Sequence, residues 1–341
     1  MSFLDKILLL LILLFSLYTR PLKKDEQGFN KDTTASFRGI AVLGIILHHV
    51  HNMLKFRSPF LSPTGYITTG LFLFISGYGN TLSLAKNKSI KLSWLLKKLI
   101  KLYLPFVVAY FTTYIVMLAY YNNVLPGKSD IIEDITTLSM PNKESWFTKF
   151  ILVCFILHWI LKIIFQNHTT IPNIIMVLTA FYYMYAMKDA RFGDYWYNTA
   201  LCYPLGCIIA KPTLIKKPLD FLKKHKIITF VILSFAFAYI FIAAHNKPEL
   251  KHICAIVFSL WCFYLSFIFK YKTTFFSWIG NKSFEFYLFH VACLQIFDNI
   301  VTANKYVYAL LVTALSFIFV SAYSYAGEKL LALFRKKKYS M

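Results

Sequence analysis

The chain has 341 residues, with 37 Lys and Arg against 15 Asp and Glu, a formal net charge of +22 and an isoelectric point near 9.6. Yet 58% of it is hydrophobic, 18% is aromatic, and its mean hydropathy is +0.56. A soluble nucleic-acid binder of this basicity is not so apolar, and a disordered basic chain needs low hydrophobicity, which excludes both. An integral membrane protein with its charge in loops fits, and the length allows roughly ten crossings of about 20 residues each.

Residues 3–18 (FLDKILLLLILLFSLY) look like a secretory signal, but Asp5 precedes Lys6 and no small-residue cleavage site follows. An uncleaved N-terminal helix of about 24 Å is expected, short for a span and equally suited to the interface. A polar linker runs from Arg20 to Ser36. Ten further apolar segments follow, at 39–54, 66–85, 102–120, 146–165, 171–187, 196–210, 227–244, 252–269, 284–301 and 306–327. Most are apolar all round, as expected where lipid or other helices cover every face. The expected fold is an all-α integral membrane protein, a bundle of about ten core transmembrane helices plus one extra N-terminal helix. Residues 1–35 form the N-terminal apolar helix and polar cytoplasmic linker, 36–328 the membrane domain, and 329–341 a basic cytoplasmic tail.

When the loops are assigned to alternate sides, 26 of the 37 basic residues fall with the 20–38 linker and 11 fall opposite. The positive-inside rule makes the linker and the C-terminus cytoplasmic, and puts Met1 outside if the N-terminal helix spans. The protein is thus expected to be a multi-pass protein of the cell's inner or plasma membrane.

Polar side chains inside spans are costly, so each marks a candidate site. In the first core helix, FRGIAVLGIILHHVHNM (37–53), Arg38 and His49 lie eleven positions apart. On a helix they point within about 20° of each other, with His49 about 16 Å deeper. His48 points about 100° away, and His51 lies nearly opposite. A neutral imidazole here can take a proton from a hydroxyl or serve as a structural hydrogen-bonder. Metal binding by His48 and His51 has no accompanying ligand set, and haem ligation would need a facing partner such as His158 or His290.

The next segment, TGYITTGLFLFISGYGN (64–80), gathers Thr68, Thr69, Gly70, Ser76 and Gly77. These allow close helix approach, while Gly77 and Gly79 equally suit a broken helix lining a cavity. In WLLKKLIKLYLP (94–105), Lys97, Lys98 and Lys101 share one helix face, suited to a phosphorylated ligand or to topology and anionic lipid alone. In GNKSFEFYLFH (280–290), Ser283, Tyr287 and His290 form one stripe, with Glu285 in the first turn where the helix dipole favours it. The six cysteines all lie in apolar runs without metal-site spacing and are expected to be small buried hydrophobes.

These clusters occur in an order that resembles membrane acyltransferase family 3, multi-span O-acyltransferases that often act on polysaccharides and cell-envelope glycans. The family's first helix carries Arg or Lys, ten residues, then His; here this is Arg38 to His49, which singles out His49 over His48. Its second helix is matched by Gly65 to Tyr78 (GYITTGLFLFISGY). Its basic stretch ending in Tyr-x-Pro is matched by Lys97 to Pro105, and its late segment by Gly280 to His290. Thr68 stands where Gly is usual, and Lys replaces Arg throughout 97–101, which gives point charges in place of forked phosphate contacts.

The resemblance implies that 36–328 is a membrane acyltransferase domain. It implies transfer of an acyl group, acetyl being expected, from cytoplasmic acyl-CoA to a hydroxyl of an envelope or exported glycan. No permanently bound cofactor is expected; acetyl-CoA or another acyl-CoA is the donor substrate. The expected partners are acyl-CoA, a glycan or glycolipid acceptor and the lipid bilayer, with no nucleic acid and no metal. His49 and Arg38 are the expected catalytic pair. Lys97, Lys98 and Lys101 would hold the donor's phosphates. Ser76, Tyr287 and His290 would support the reaction, and Glu285 would orient a histidine or cap its helix. A transporter or lipid-linked glycan flippase accounts for the spans, the charge split and the intramembrane histidines, but not for the ordered motifs.

Overall fold

The computed structural model describes residues 19–21, 28–54, 61–86, 92–121, 127–140, 146–166, 168–211, 216–268, 271–298 and 305–339. The expected N-terminal helix at 3–18 lies outside these. In chain order the elements are β1 (Thr19–Pro21), α1 (Lys31–Met53), α2 (Leu61–Lys86), α3 (Leu92–Tyr121) and α4 (Lys128–Thr136). Then come α5 (Trp146–Phe165), α6 (Thr170–Asp189), α7 (Cys202–Ala210), α8 (Lys216–Lys224), α9 (Lys226–Asn246) and α10 (Lys251–Ile268). β2 (Tyr271–Thr273), α11 (Thr274–Asn281), α12 (Ser283–Asp298) and α13 (Lys305–Tyr339) complete the chain. Among the described residues the protein is all-α apart from the antiparallel β1–β2 ribbon, which pairs Thr19 with Thr273.

Among the described residues, seven helices are long and apolar enough to cross a membrane: α1, α3, α5, α6, α9, α10 with the turn before it, and α13. Their exposed faces are apolar. Leu96, Ile100, Leu104 and Ile115 form such a stripe on α3, and Ile228, Val231, Phe235, Tyr239 and Ile242 form one on α9. In water such faces would drive aggregation, whereas against lipid tails they are satisfied. The protein is a multi-pass membrane protein.

Three of the differences from the sequence reading have a visible cause or consequence. The helix expected from 39 starts at Lys31, because Asn30 caps it: its Oδ1 accepts from the Asp32 and Thr33 amides at 2.9 and 3.0 Å, and Thr33 Oγ1 accepts from the Asn30 amide at 3.0 Å. Gly28, at φ +95°, supplies the left-handed turn that leads into this cap. The segment 196–210 is helical only from Cys202. Before it lie a short 3₁₀ turn at Asp194–Trp196 and a run of turns through Asn198 and Thr199, residue types that compete with the helical backbone. Asp194 also pairs with Lys251, which anchors a charge at this end. Finally, α13 stays helical through Tyr339, into the expected tail.

Packing divides the chain into two compact units. The first comprises the described parts of Met1–Leu102 and Ser145–Asn281, the second those of Tyr103–Glu144 and Lys282–Met341. In the first unit, helices meet with almost no side chain between them. A Cβ on Gly77 of α2 would lie 2.1 Å from the Tyr203 carbonyl oxygen, and one on Gly206 of α7 would lie 2.1 Å from that of Phe74. Likewise, a Cβ on Gly39 of α1 would lie 2.0 Å from the carbonyl oxygen of Phe276 in α11, and Ser36 and Ser277 share a hydrogen bond of 2.8 Å. Small residues at helix crossings are the means by which lipid-embedded helices gain close van der Waals contact. Phe29 closes this core with ring contacts to Phe74, Tyr78 and Phe263 at centroid distances of 5.6, 4.9 and 5.3 Å.

In the second unit α12 packs on α13 through Phe286 and Phe317, whose rings lie 4.8 Å apart, and Tyr308 donates to the Leu294 carbonyl at 3.0 Å. Buried Tyr110 of α3 donates to the Asp134 carboxylate of α4 at 3.1 Å.

Candidate active site

α1 is unbroken from Lys31 to Met53, so Arg38 and His49 keep the register that their spacing implies: the same face, about 16 Å apart along the axis. Both are half-buried. His48, beside His49, is engaged by the protein. Its Nδ1 lies 3.2 Å from the Leu61 carbonyl, and its Nε2 lies 3.0 Å from the Asn52 amide nitrogen. A carbonyl only accepts, so Nδ1 carries the proton and Nε2 accepts from Asn52, which occupies both ring nitrogens. The ring lies over Gly65, where a Cβ would come within 2.7 Å of Nε2. The rings of His48 and His49 are 5.3 Å apart, edge to face. His51, near the end of α1, is buried.

α2 runs straight through Gly77 and Gly79, so the reading of a broken helix does not hold. Gly77 is a contact point against α7, whereas Gly79 has open space where a side chain would be. Thr68, Thr69 and Thr81 return their hydroxyls to the carbonyls of Thr64, Gly65 and Gly77, which satisfies them without water. Thr68, at the position where the resembling family has Gly, is accommodated by Gly44 of α1. A Cβ on Gly44 would lie 3.3 Å from the Thr68 methyl. Ser76 is half-buried, one helical turn before Asn80 on the same side of α2.

The three lysines at the start of α3 separate by environment. Lys97 and Lys101 are exposed, while Lys98 is half-buried between the Trp94 and Phe155 rings, 5.5 and 5.6 Å from their centroids. Trp94 holds this end of α3 to α2 by donating to Ser83 Oγ at 3.0 Å. Lys98 is close enough to Arg38 for their charges to interact, and Lys101 acts on it too. The fold thus gathers cations from α1 and α3, sixty residues apart in sequence, into one region of the first unit. Like charges held together and partly shielded from water favour an anionic ligand.

Glu285, Tyr287 and His290 lie on α12, in the second unit. Glu285 is in the first turn, where the helix dipole favours it, and close enough to Tyr323 to interact electrostatically. His290 is fully buried, with Nδ1 3.1 Å from the Phe286 carbonyl one turn earlier. The Tyr287 ring lies 6.1 Å from that of His290. Ser283 is buried.

Sequence reading missed a buried polar chain in the first unit. Asn80 donates to Tyr203 Oη at 3.0 Å, and Tyr203 Oη lies 3.1 Å from His158 Nδ1. Asn80 and Tyr203 are almost wholly buried. The signal in the sequence was three polar residues in three apolar segments, and only the close α2–α7 crossing shows that they meet. All six cysteines are buried thiols.

The acyltransferase domain model of acyltransferase family 3 matches residues 36–326, most of the chain. No curated protein and no solved structure matches the chain. With its helices, its Arg38–His49 register and a family match across nearly all its membrane segments, the chain belongs to acyltransferase family 3 and is a membrane acyltransferase.

Proposed function

We propose that the protein is an O-acetyltransferase that takes its acyl group from acyl-CoA on the cytoplasmic side and passes it to a hydroxyl of an envelope or exported glycan. The observation that carries this reading is the placement of Arg38 and His49 on one face of one unbroken helix in a family 3 acyltransferase. Donor and acceptor lie on opposite sides of the membrane, and a helix about 16 Å long between a cation and a base suits an extended thioester arm reaching inward. Arg38, with Lys98 and Lys101 beside it, holds the donor's phosphates, and exposed Lys97 adds to the field at the entrance. His49 accepts the proton of the acceptor hydroxyl as that oxygen attacks the thioester carbonyl. The C–O bond forms, the tetrahedral oxyanion collapses, and the C–S bond breaks. The departing thiolate takes the proton from the His49 imidazolium, which leaves an O-acyl ester and free CoA. Ser76 supports this chemistry from α2. Tyr287 and His290 remain proposed donors to the reaction, and Glu285 a proposed orienting residue.

The basic-residue count supports placing the C-terminus in the cytoplasm of a multi-pass inner- or plasma-membrane protein. The test is protein reconstituted in liposomes with radiolabelled acetyl-CoA and envelope glycan, with CoA release and glycan mass measured. The expected outcome is stoichiometric free CoA and acetylated glycan. His49→Ala should abolish both while membrane insertion persists. Acylation at the wild-type rate by His49→Ala would overturn the assignment. A flippase would release no CoA.

A further inference from the structure

In the first unit, a small open recess forms where the ends of α2 and α5, the start of α6 and the residue after α7 meet. It lies at the end of the unit that the basic-residue count assigns to the cytoplasm. Lys162 and Lys211 line it with His158 and His168, and Thr169 and Asn173 at the start of α6 add neutral polar groups. Among the described residues lining it there is no carboxylate. Lys162 and Lys211 are close enough to repel each other, and the charges of Lys162 and Lys98 both bear on His158.

The Asn80–Tyr203–His158 chain now acquires a purpose. Tyr203 accepts from Asn80, so its own hydrogen is available for His158 Nδ1. That fixes the imidazole proton on Nε2 and leaves a neutral N–H as the ring's remaining donor. Lys162 gives one hydrogen to the Gln166 carbonyl at the end of α5, which fixes its stem and leaves two. The start of a 20-residue helix adds the positive end of its dipole. Two ammonium groups, an oriented imidazole N–H, hydroxyl and amide groups, and no acid together make a receptor for an oxyanion of high charge.

We propose that this recess binds a phosphate group, a second anion site beyond the Arg38, Lys98 and Lys101 cluster. The phosphate comes either from a soluble phosphomonoester, as on a nucleotide, or from the headgroup of an anionic lipid at that leaflet. The proposal concerns binding alone and stands or falls apart from the acyl-transfer reading.

The test uses the full chain in phosphatidylcholine nanodiscs. With Arg38→Gln and Lys98→Gln as the background throughout, which silences the proposed donor cluster, two probes are titrated: adenosine 3′,5′-bisphosphate against adenosine, and phosphatidic acid against added phosphatidylcholine by native mass spectrometry. One phosphate probe should bind over its neutral counterpart, and which one does so identifies the source. Lys162→Gln with Lys211→Gln should weaken that binding at least ten-fold. Lys162→Arg with Lys211→Arg should restore it to within about three-fold of the background, which separates lost charge from lost folding. Lys188→Gln, at the far end of α6, should leave it unchanged. Equal binding by the double Gln variant, or no preference for either phosphate probe, overturns the proposal.

Discussion

His48 and His49 are adjacent and chemically alike, yet the proposed mechanism gives them different work. His48 has both ring nitrogens in bonds to Leu61 and Asn52, and it rests on Gly65. His48→Ala should therefore lower the unfolding midpoint in detergent, at a cost of about 1–3 kcal/mol for two lost hydrogen bonds, one part-buried and one exposed, while turnover per folded molecule stays near wild type. His49→Gln should abolish turnover in protein that still inserts into the membrane. Lys98 differs in the same way from Lys97. Substituting Gln at Lys98, which lies near Arg38, should raise the donor KM about ten-fold, the equivalent of about 1.4 kcal/mol, whereas Lys97→Gln on the exposed face should change it by less than about three-fold. The Arg38–His49 register was legible in the sequence because it needs only the helical repeat. The separation of Lys98 from Lys97 and Lys101 was not, since spacing fixes an angle around α3 and not that Trp94 and Phe155 flank it.

At the scale of elements, α2 shows what apolar patterning reveals and what it leaves open. Its existence was plain from 66–85, but two glycines near its end allowed either a break or a tight crossing. The structure gives the crossing, and it distinguishes the two glycines. Gly77→Ala should push α2 off α7 and destabilise the protein by about 1–3 kcal/mol, the usual cost of overpacking. Gly79→Ala, with nothing within 4 Å of the new Cβ, should be neutral or stabilising by up to about 1 kcal/mol. Thermal unfolding of both variants in one detergent checks the contrast. The same crossing assembles Asn80, Tyr203 and His158, so Gly77→Ala should also weaken phosphate binding at the neighbouring recess. Two of the misread boundaries, at Lys31 and at Cys202, share a cause: hydropathy marks where a chain is apolar, whereas helices start and stop at caps and turn-forming residues such as Asn30, Asn198 and Thr199.

For the whole molecule, the order of the helices was readable and their contacts were not. In its described residues each of the ten apolar segments coincides with helix, although 196–210 does so only from Cys202. Which helices touch depends on where small residues happen to face each other. α1 against α11 is the clearest case, because Gly39, Ala35 and Gly280 mean nothing singly and together bring two backbones into contact. The Ser36–Ser277 hydrogen bond sits at that contact, between residues 241 positions apart. Its 2.8 Å separation lies within reach of the geometry a disulfide requires. Ser36→Cys with Ser277→Cys, oxidised in native membranes, should therefore form a cross-link visible as a reversible shift in gel mobility. The six natural thiols, all buried, should give no such shift in the parent protein, and a pair that resists oxidation would mean that α1 and α11 are apart in the membrane. A successful link is a covalent clamp beside Arg38 that can be opened with reductant. Comparing turnover with the clamp closed and open then shows whether the helix that carries His49 acts as a fixed wall or must slide as an acyl group passes.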